Sequence, residues 1–282
     1  MKRSRGARAE GMRREVRERY SDLAHGGGCC ANGSGSGCCG GSAGTNCSSD
    51  ASASRTLGYS AQELAGLPEG ANLGLGCGNP TSLLALSPGQ VVLDLGSGAG
   101  IDCFLAAQQV GPTGRVMGVD MTAAMVERAR ANARRRGYAN VEFRLGEIEH
   151  LPVADRSVDV VLSNCVINLA PNKSPVYREA FRVLRPGGRL AVSDVVATRR
   201  ISASDRADPS LWSSCSSGAI RVDALERLLR TVGFKEVRVA PKPSGSSGPT
   251  LRGQAALGVV PADITARRPV RARSKGLNRK RP

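Results

Sequence analysis

A chain of 282 residues holds one generous domain with tails, and none of its apolar runs approaches the roughly 18 residues that a membrane span needs. The net charge of +16 invites a nucleic-acid reading, but residues 1–20 carry +5 and residues 262–282 carry +7, leaving about +4 for everything between. With only four Phe, four Tyr and one Trp, stacking platforms for single strands are lacking, so neither nucleic acid nor membrane is an expected partner.

The N-terminal MKRSRGARAEGMRREVRERY is basic with no apolar stretch behind it, so it does not read as a secretory signal, and a cytoplasmic protein is expected. Residues 11–24 carry a helical spacing that places Val16, Tyr20 and Leu23 on one face. Residues 26–54, dominated by Gly, Ser and Cys, cannot bury enough surface to offset their ordering entropy and read as a flexible loop. The chain has nine cysteines, five of them in 29–47; an odd number without an export signal points to thiols with chemical work rather than a disulfide scaffold. In SAQELAGLP (60–68), Ser60 and Glu63 form a capping box at the start of a short helix.

From Val91 the pattern becomes regular. VVLDL (91–95) is a buried strand running through a glycine turn into a helix, and RVMGVD (115–120) is a second strand. A helix over 122–137 has Thr122 as cap and Gly137 as stop; VEFRLG and VDVVLSN follow as strands. KSPVYREAFRVLRPGG is a helix ended by Pro-Gly-Gly, then come the strand RLAVSDVV, the helix RVDALERLLRTVGF and the strand KEVRVAP. Strands alternating with helices of 10–15 residues predict an α/β fold, a doubly wound, mainly parallel sheet with helices on both faces. After Lys242 the sequence offers one strand candidate, near Ala255–Val260, and then a basic tail, Arg267 to Lys280 included, that is expected to be unstructured and solvated.

DLGSGAG (94–100) leaves a strand and opens a helix, the context required of a Gly-rich nucleotide turn. Its spacing is G-x-G-x-G, neither the dinucleotide fingerprint nor a P-loop. Asp120 ends the next strand, where a carboxylate can hold both hydroxyls of a ribose, and Glu147 follows the third strand near where an adenine would lie. Asp94, Asp120 and Glu147 suit a ligand with a cationic amine and a ribose better than a pyrophosphate. Together these features resemble the class I S-adenosylmethionine-dependent methyltransferases over about residues 75–241, and the Rossmann-like fold of that class is implied. Candidate cofactor contacts are Asp94, Gly96, Ser97, Gly98, Gly100, Asp120, Met121, Glu147, Ile148 and Asn164.

The glycine motif does not name the acceptor; the cysteines narrow it. NLGLGCGNP (72–80), SNCVINL (163–169) and SSCSSGA (213–219) resemble the three cysteine motifs of the arsenite methyltransferase family, and the likeness extends over about residues 15–240. It implies trivalent arsenic as acceptor, held by Cys77, Cys165 and Cys215. Arsenic(III) is soft and three-coordinate, thiolates are the soft ligands of proteins, and three of them leave its lone pair free as the nucleophile. No proton leaves the attacking atom, so no general base is required, consistent with only two histidines, His25 and His150.

The resemblance further implies that an upstream cysteine pairs with Cys77 and assists arsenic transfer, with Cys29, Cys30, Cys38 and Cys39 as candidate accessory thiols. Cys103 reads as core filler, and the upstream cluster lacks the paired spacing of structural zinc, so no structural metal is expected. Arsenite or its glutathione and other thiol complexes would be the substrate, thioredoxin or glutathione the reductant, and a monomer is expected. The chain then divides into a helix and Cys-rich segment (1–71), a cofactor domain (72–200), an acceptor-site insert with the last helix and strand (201–243) and a divergent basic tail (244–282). Two other readings remain open at this point: a methyltransferase for a small organic molecule, and a thiol-rich metal-binding protein.

Overall fold

The computed structural model describes residues 2–25, 50–243 and 257–270. Its centre is a seven-stranded sheet in the order β3-β2-β1-β4-β5-β7-β6, comprising β1 (Val91–Leu95), β2 (Arg115–Asp120), β3 (Val141–Leu145), β4 (Val158–Asn164), β5 (Leu184–Ala197), β6 (Lys235–Pro241) and β7 (Val259–Arg267). Strands β1 to β5 pair in parallel, and β7 runs antiparallel to both of its neighbours, so the doubly wound, mainly parallel fold read from the sequence is the fold observed.

Alternation along the strands divides the core. On β1, Leu93 and Leu95 face a cluster with Val161, Val176 and Leu229, while Val92 faces the opposite cluster with Phe104, Val126 and Leu162. The first cluster is covered by α6 (Lys173–Val183) and α8 (Val222–Val232), the second by α4 (Ile101–Val110) and α5 (Ala123–Arg136). A third apolar cluster lies beyond the carboxyl ends of β4 and β5 and gathers Cys77, Cys165 and Cys215 with Val16, Leu169 and Trp212.

Four expectations are corrected. The first helix, α1, runs over Lys2–Ala24 rather than 11–24. The end of the expected flexible loop is a helix, α2 (Asp50–Thr56), because Ser54 is buried and donates a hydrogen bond to Asn72 Oδ1 at 2.8 Å. Thr122 stands at the N-cap of α5 but its side chain makes no capping bond; its N–H donates to Asp120 Oδ1 at 2.8 Å.

The fourth correction is the largest. The strand candidate near Ala255–Val260 is realised further along as β7, which takes in the start of the expected basic tail and pairs with β5 over nine positions and with β6 on its other edge. Val259, Ala262, Ile264 and Ala266 are buried, and Arg267 is a paired strand residue rather than part of a solvated tail. Pro261 and the basic residues beyond it masked the rest of this strand, since proline inside an apolar run argues against a central strand. The capping box of α3 (Ala61–Ala65) is present as read, Glu63 N–H donating to Ser60 Oγ and Ser60 N–H to Glu63 Oε2.

Candidate active site

The glycine turn after β1 brings backbone to the edge of the sheet. Gly96 has φ 69° and its N–H donates to Val119 O at 2.8 Å; a Cβ there would stand 2.5 Å from Val166. Gly98 has φ 50° and its N–H donates to Asp120 Oδ2 at 2.9 Å, and beyond its Cα nothing lies within 4 Å of an added Cβ, so the turn leaves open space on that side. The cleft so formed is lined by Asp94, Gly96, Ser97, Gly98, Asp120, Met121, Ile148 and Asn164, eight of the ten residues named from the sequence. Gly100 lies behind it as the N-cap of α4. Glu147 is turned away to Arg17, with Nη2 3.1 Å from Oε1, and Glu149, buried at 7% exposure, lines the cleft instead.

Burial governs the electrostatics of this cleft. Asp94 and Asp102 are each 2% exposed. Burial, then the charge of Asp102, holds the Asp94 carboxyl well above its ordinary range, and burial pushes Asp102 up to about 6. Their partners are Cys103, whose thiol donates to Asp94 at 3.3 Å, Tyr59, whose hydroxyl donates to Asp102 at 2.7 Å, and Asn164, whose amide donates to Asp102 at 3.2 Å; none is a cation. Asp120 is raised by burial against the pull of backbone N–H donors. Ser97 Oγ is buried without a partner among the described residues. Clustered carboxylates without a cation and an orphaned hydroxyl at a glycine turn fit a ligand with an ammonium and hydroxyl groups, which S-adenosylmethionine is.

The acceptor side begins where β4 ends. Asn164 accepts a hydrogen bond from Cys77 N–H at 2.9 Å and donates to Gly78 O at 2.8 Å and Tyr59 Oη at 2.9 Å, clamping the Gly-rich turn against the strand. Cys165 follows at φ 56° and Cys215 sits in the turn after α7 (Pro209–Ser213) at φ 62°, two non-glycine residues in the left-handed region. Such conformations persist where packing over-determines them. Cys215 Sγ donates to Cys165 O at 2.9 Å, so the three cysteines named from the sequence meet in one place.

Two of them are bonded to each other. Cys77 and Cys165 form a disulfide with their Cα atoms 5.4 Å apart, which corrects the expectation of three free thiolates. The clamp by Asn164 supplies the reason, since it presses the Cys77 turn onto the residue that precedes Cys165. The accessory candidates Cys29, Cys30, Cys38 and Cys39 lie outside the described residues. Cys103 is fully buried in the core against Asp94, the filler position expected of it.

The surroundings of the cysteines are dry. Burial pushes the Cys215 thiol far up, and the nearby charge of Asp194 pushes it further. Asp194 is raised to about 6 by burial despite donors from Val195 and Asn168, and burial lowers Lys173 to about 7. Lys173 Nζ lies 4.9 Å over the Trp212 ring and donates to Asn168 O and Ala170 O. Helix α1 closes both sites from above. Arg13 reaches Glu149 at 3.0 Å, Arg19 donates to Ser213 Oγ at 3.0 Å, and Tyr20 packs against the cluster that holds Cys215. Sequence reasoning missed Arg13, Tyr59, Asp102 and Glu149, which join the site from separate segments; only Asp102, two residues past the glycine turn, carried a local signal.

Comparison with known proteins agrees with this geometry. A family model described as a methyltransferase domain matches residues 86–233, more than half of the chain. An arsenite methyltransferase of Halobacterium salinarum is 52% identical over 233 residues, covering 83% of this chain and 60% of the relative. The human arsenite methyltransferase is 42% identical over 152 residues, 51% of this chain and 40% of the relative. The chain thus spans less than two thirds of the length of these curated relatives. The crystal structure of an arsenic(III) S-adenosylmethionine methyltransferase from Chlamydomonas reinhardtii superposes with a TM-score of 0.59 at 36% identity, covering 78% of this chain and 74% of that one. With the glycine turn, the acidic cleft and the three gathered cysteines, these likenesses mean that the chain belongs to the methyltransferase-domain family and, within it, to the arsenite methyltransferases.

Proposed function

We propose that the chain transfers a methyl group from S-adenosylmethionine to trivalent arsenic held by Cys77, Cys165 and Cys215. The observation that carries this reading is the meeting of the three cysteines beside the acidic cleft, from positions 77, 165 and 215 of the sequence. The cofactor, when bound, supplies a methyl group activated by a sulfonium. Asp94 and Asp102 would hold its ammonium, Asp120 its ribose, and Ser97 a remaining polar group. The thiolates hold arsenic with its lone pair free, and Trp212, Leu169 and Val16 keep water from the acceptor side. Alignment of this kind can contribute about 7–11 kcal/mol.

The disulfide sets a condition on turnover. A dithiol such as reduced thioredoxin, or two glutathione molecules, gives two electrons and two protons to Cys77–Cys165, releasing two thiols and ending as a disulfide itself. Arsenite, or its complex with a small thiol, then exchanges its ligands for the protein thiols. Cys29, Cys30, Cys38 and Cys39 are proposed as accessory thiols. No helix among the described residues is long and apolar enough to cross a membrane, and we place the activity in the cytoplasm, carried out by a monomer.

Purified protein with S-adenosylmethionine, arsenite and a dithiol tests the reading. Cys165→Ser is expected to abolish methylated arsenic products while cofactor affinity, measured by calorimetry, stays within about twofold. Product formation at the parent rate by that variant would overturn the assignment.

A further inference from the structure

Asp194 stands on β5 beside the cysteines and belongs to neither the cofactor contacts nor the three-thiol set. It is 2% exposed. One carboxylate oxygen accepts from Asn168 Nδ2 at 2.9 Å and from Val195 N at 2.8 Å, whereas the other accepts from Asn168 N at 3.3 Å. That second oxygen keeps a lone pair free. Cys77 Sγ, Cys165 Sγ and an oxygen of Asp194 all lie within 4.8 Å of one another, the one such trio of donors among the described residues. The Cys215 thiol is outside this trio and is directed to Cys165 O at 2.9 Å.

Two sulfurs and a carboxylate are a mixed donor set. Arsenic(III) takes soft sulfur, whereas zinc and cadmium accept thiolate and carboxylate together and complete a tetrahedron with water. Ligand atoms about 2.0–2.3 Å from zinc stand roughly 3.3–3.8 Å apart in a tetrahedron, a spacing open to the trio once reduction lets the two bonded sulfurs part, with the Asp194 oxygen already within 4.8 Å of both. Two thiolates and one carboxylate around a dication leave a single negative charge.

We propose that reduced Cys77 and Cys165, with Asp194, form a binding site for a borderline divalent cation, zinc or cadmium, and that its occupancy withholds two thiols from arsenic. A dithiol or phosphine first reduces the disulfide. Each cysteine then releases its proton to solvent as the cation binds sulfur, and the carboxylate joins as third donor without any change in oxidation state. The proposal uses the same two cysteines as the arsenic reading but does not need arsenic to be the substrate.

The experiment is a titration of the full-length chain, reduced with a phosphine, with cadmium-113. Cys29, Cys30, Cys38, Cys39 and Cys47 are replaced by serine in every arm to remove competing thiols. The expected result is one tight site per chain whose cadmium chemical shift reports two sulfur ligands. Cys165→Ser should abolish the tight site, Asp194→Asn should weaken it at least tenfold, and Cys215→Ser should leave its affinity unchanged. A three-sulfur signal, or tight binding that survives Asp194→Asn or is lost with Cys215→Ser, would overturn the proposal. The shift is read on protein with Asp194 intact, so the test stands even if Asp194→Asn misfolds. Should arsenite methylation fail while the two-sulfur cadmium site persists, the arsenic reading falls and this one remains.

Discussion

Asp102 shows how burial at one residue reaches the behaviour of the whole chain. Its carboxyl, ordinarily near 3.8, is pushed up to about 6, so the folded state keeps this proton to higher pH than the unfolded state does. As pH rises from about 4 to about 6 the unfolded chain loses its proton first, and stability falls; above that window both states are ionised and the loss is complete. The shift corresponds to on the order of 3 kcal/mol, and Asp194, also raised to about 6, adds a loss of the same sign. Asp102→Asn keeps an oxygen for the Tyr59 hydroxyl and removes the charge. Urea unfolding at pH 4.5 and 7 is expected to show a smaller loss in the variant than in the parent; equal losses would mean that the buried carboxyl is not the cause. The neighbouring Asp94 was legible in the sequence because it sits inside a contiguous glycine motif. Tyr59 was not, because it contacts Asp102 across 43 residues and nothing local distinguishes it from an ordinary core tyrosine.

The same division appears between elements. β1 and β4 were readable as strands because both of their faces are buried, which produces short, nearly continuous apolar runs. The short helix α2 was hidden by an Ala/Ser composition close to that of the loop before it. For α1 a helical spacing is legible but its destination is not, since Arg13 and Arg17 meet Glu149 and Glu147 more than 120 residues away. Those contacts make α1 a strap over both halves of the site: Val16 and Tyr20 pack in the cysteine cluster while the arginines hold the acidic segment after β3. Arg13 is 21% and Glu149 7% exposed on their side chains, so this pair is less screened than the outer ones. Replacing both arginines by alanine is expected to raise amide exchange in residues 10–24 at least severalfold and to leave the amides of β1 and β4 protected. An unchanged exchange rate would show that the apolar contacts of Val16 and Tyr20 hold the strap alone.

At the scale of the molecule, β7 decides whether the sheet is complete. It pairs with β5 along nine residues and is the partner to which β6 is hydrogen-bonded, so without it β6 would lose its connection to the sheet. Arg268, just past the strand, donates to the carbonyls of Phe181, Arg182 and Leu184 and lies 4.5 Å over the Phe181 ring, tying the same segment to the end of α6. A basic residue in a sequence reads as solvated; here the guanidinium donates to carbonyls at a helix end, where backbone acceptors run short of intrahelical partners. Two graded changes follow from this arrangement. Ile264, 1% exposed, should cost about 2–5 kcal/mol when cut to alanine, seen as a lower urea midpoint with an unchanged slope. Ending the chain after residue 243 removes β7 altogether and leaves long unpaired edges on β5 and β6, which invite association between chains. With total stabilities of about 5–15 kcal/mol, the truncated chain is expected to accumulate as aggregate instead of a cooperatively melting protein. A soluble truncated chain that still binds S-adenosylmethionine and melts within a few degrees of the full-length protein would show that β1 to β5 stand without β7. Cofactor binding would then be separable from the antiparallel edge of the sheet formed by β7 and β6.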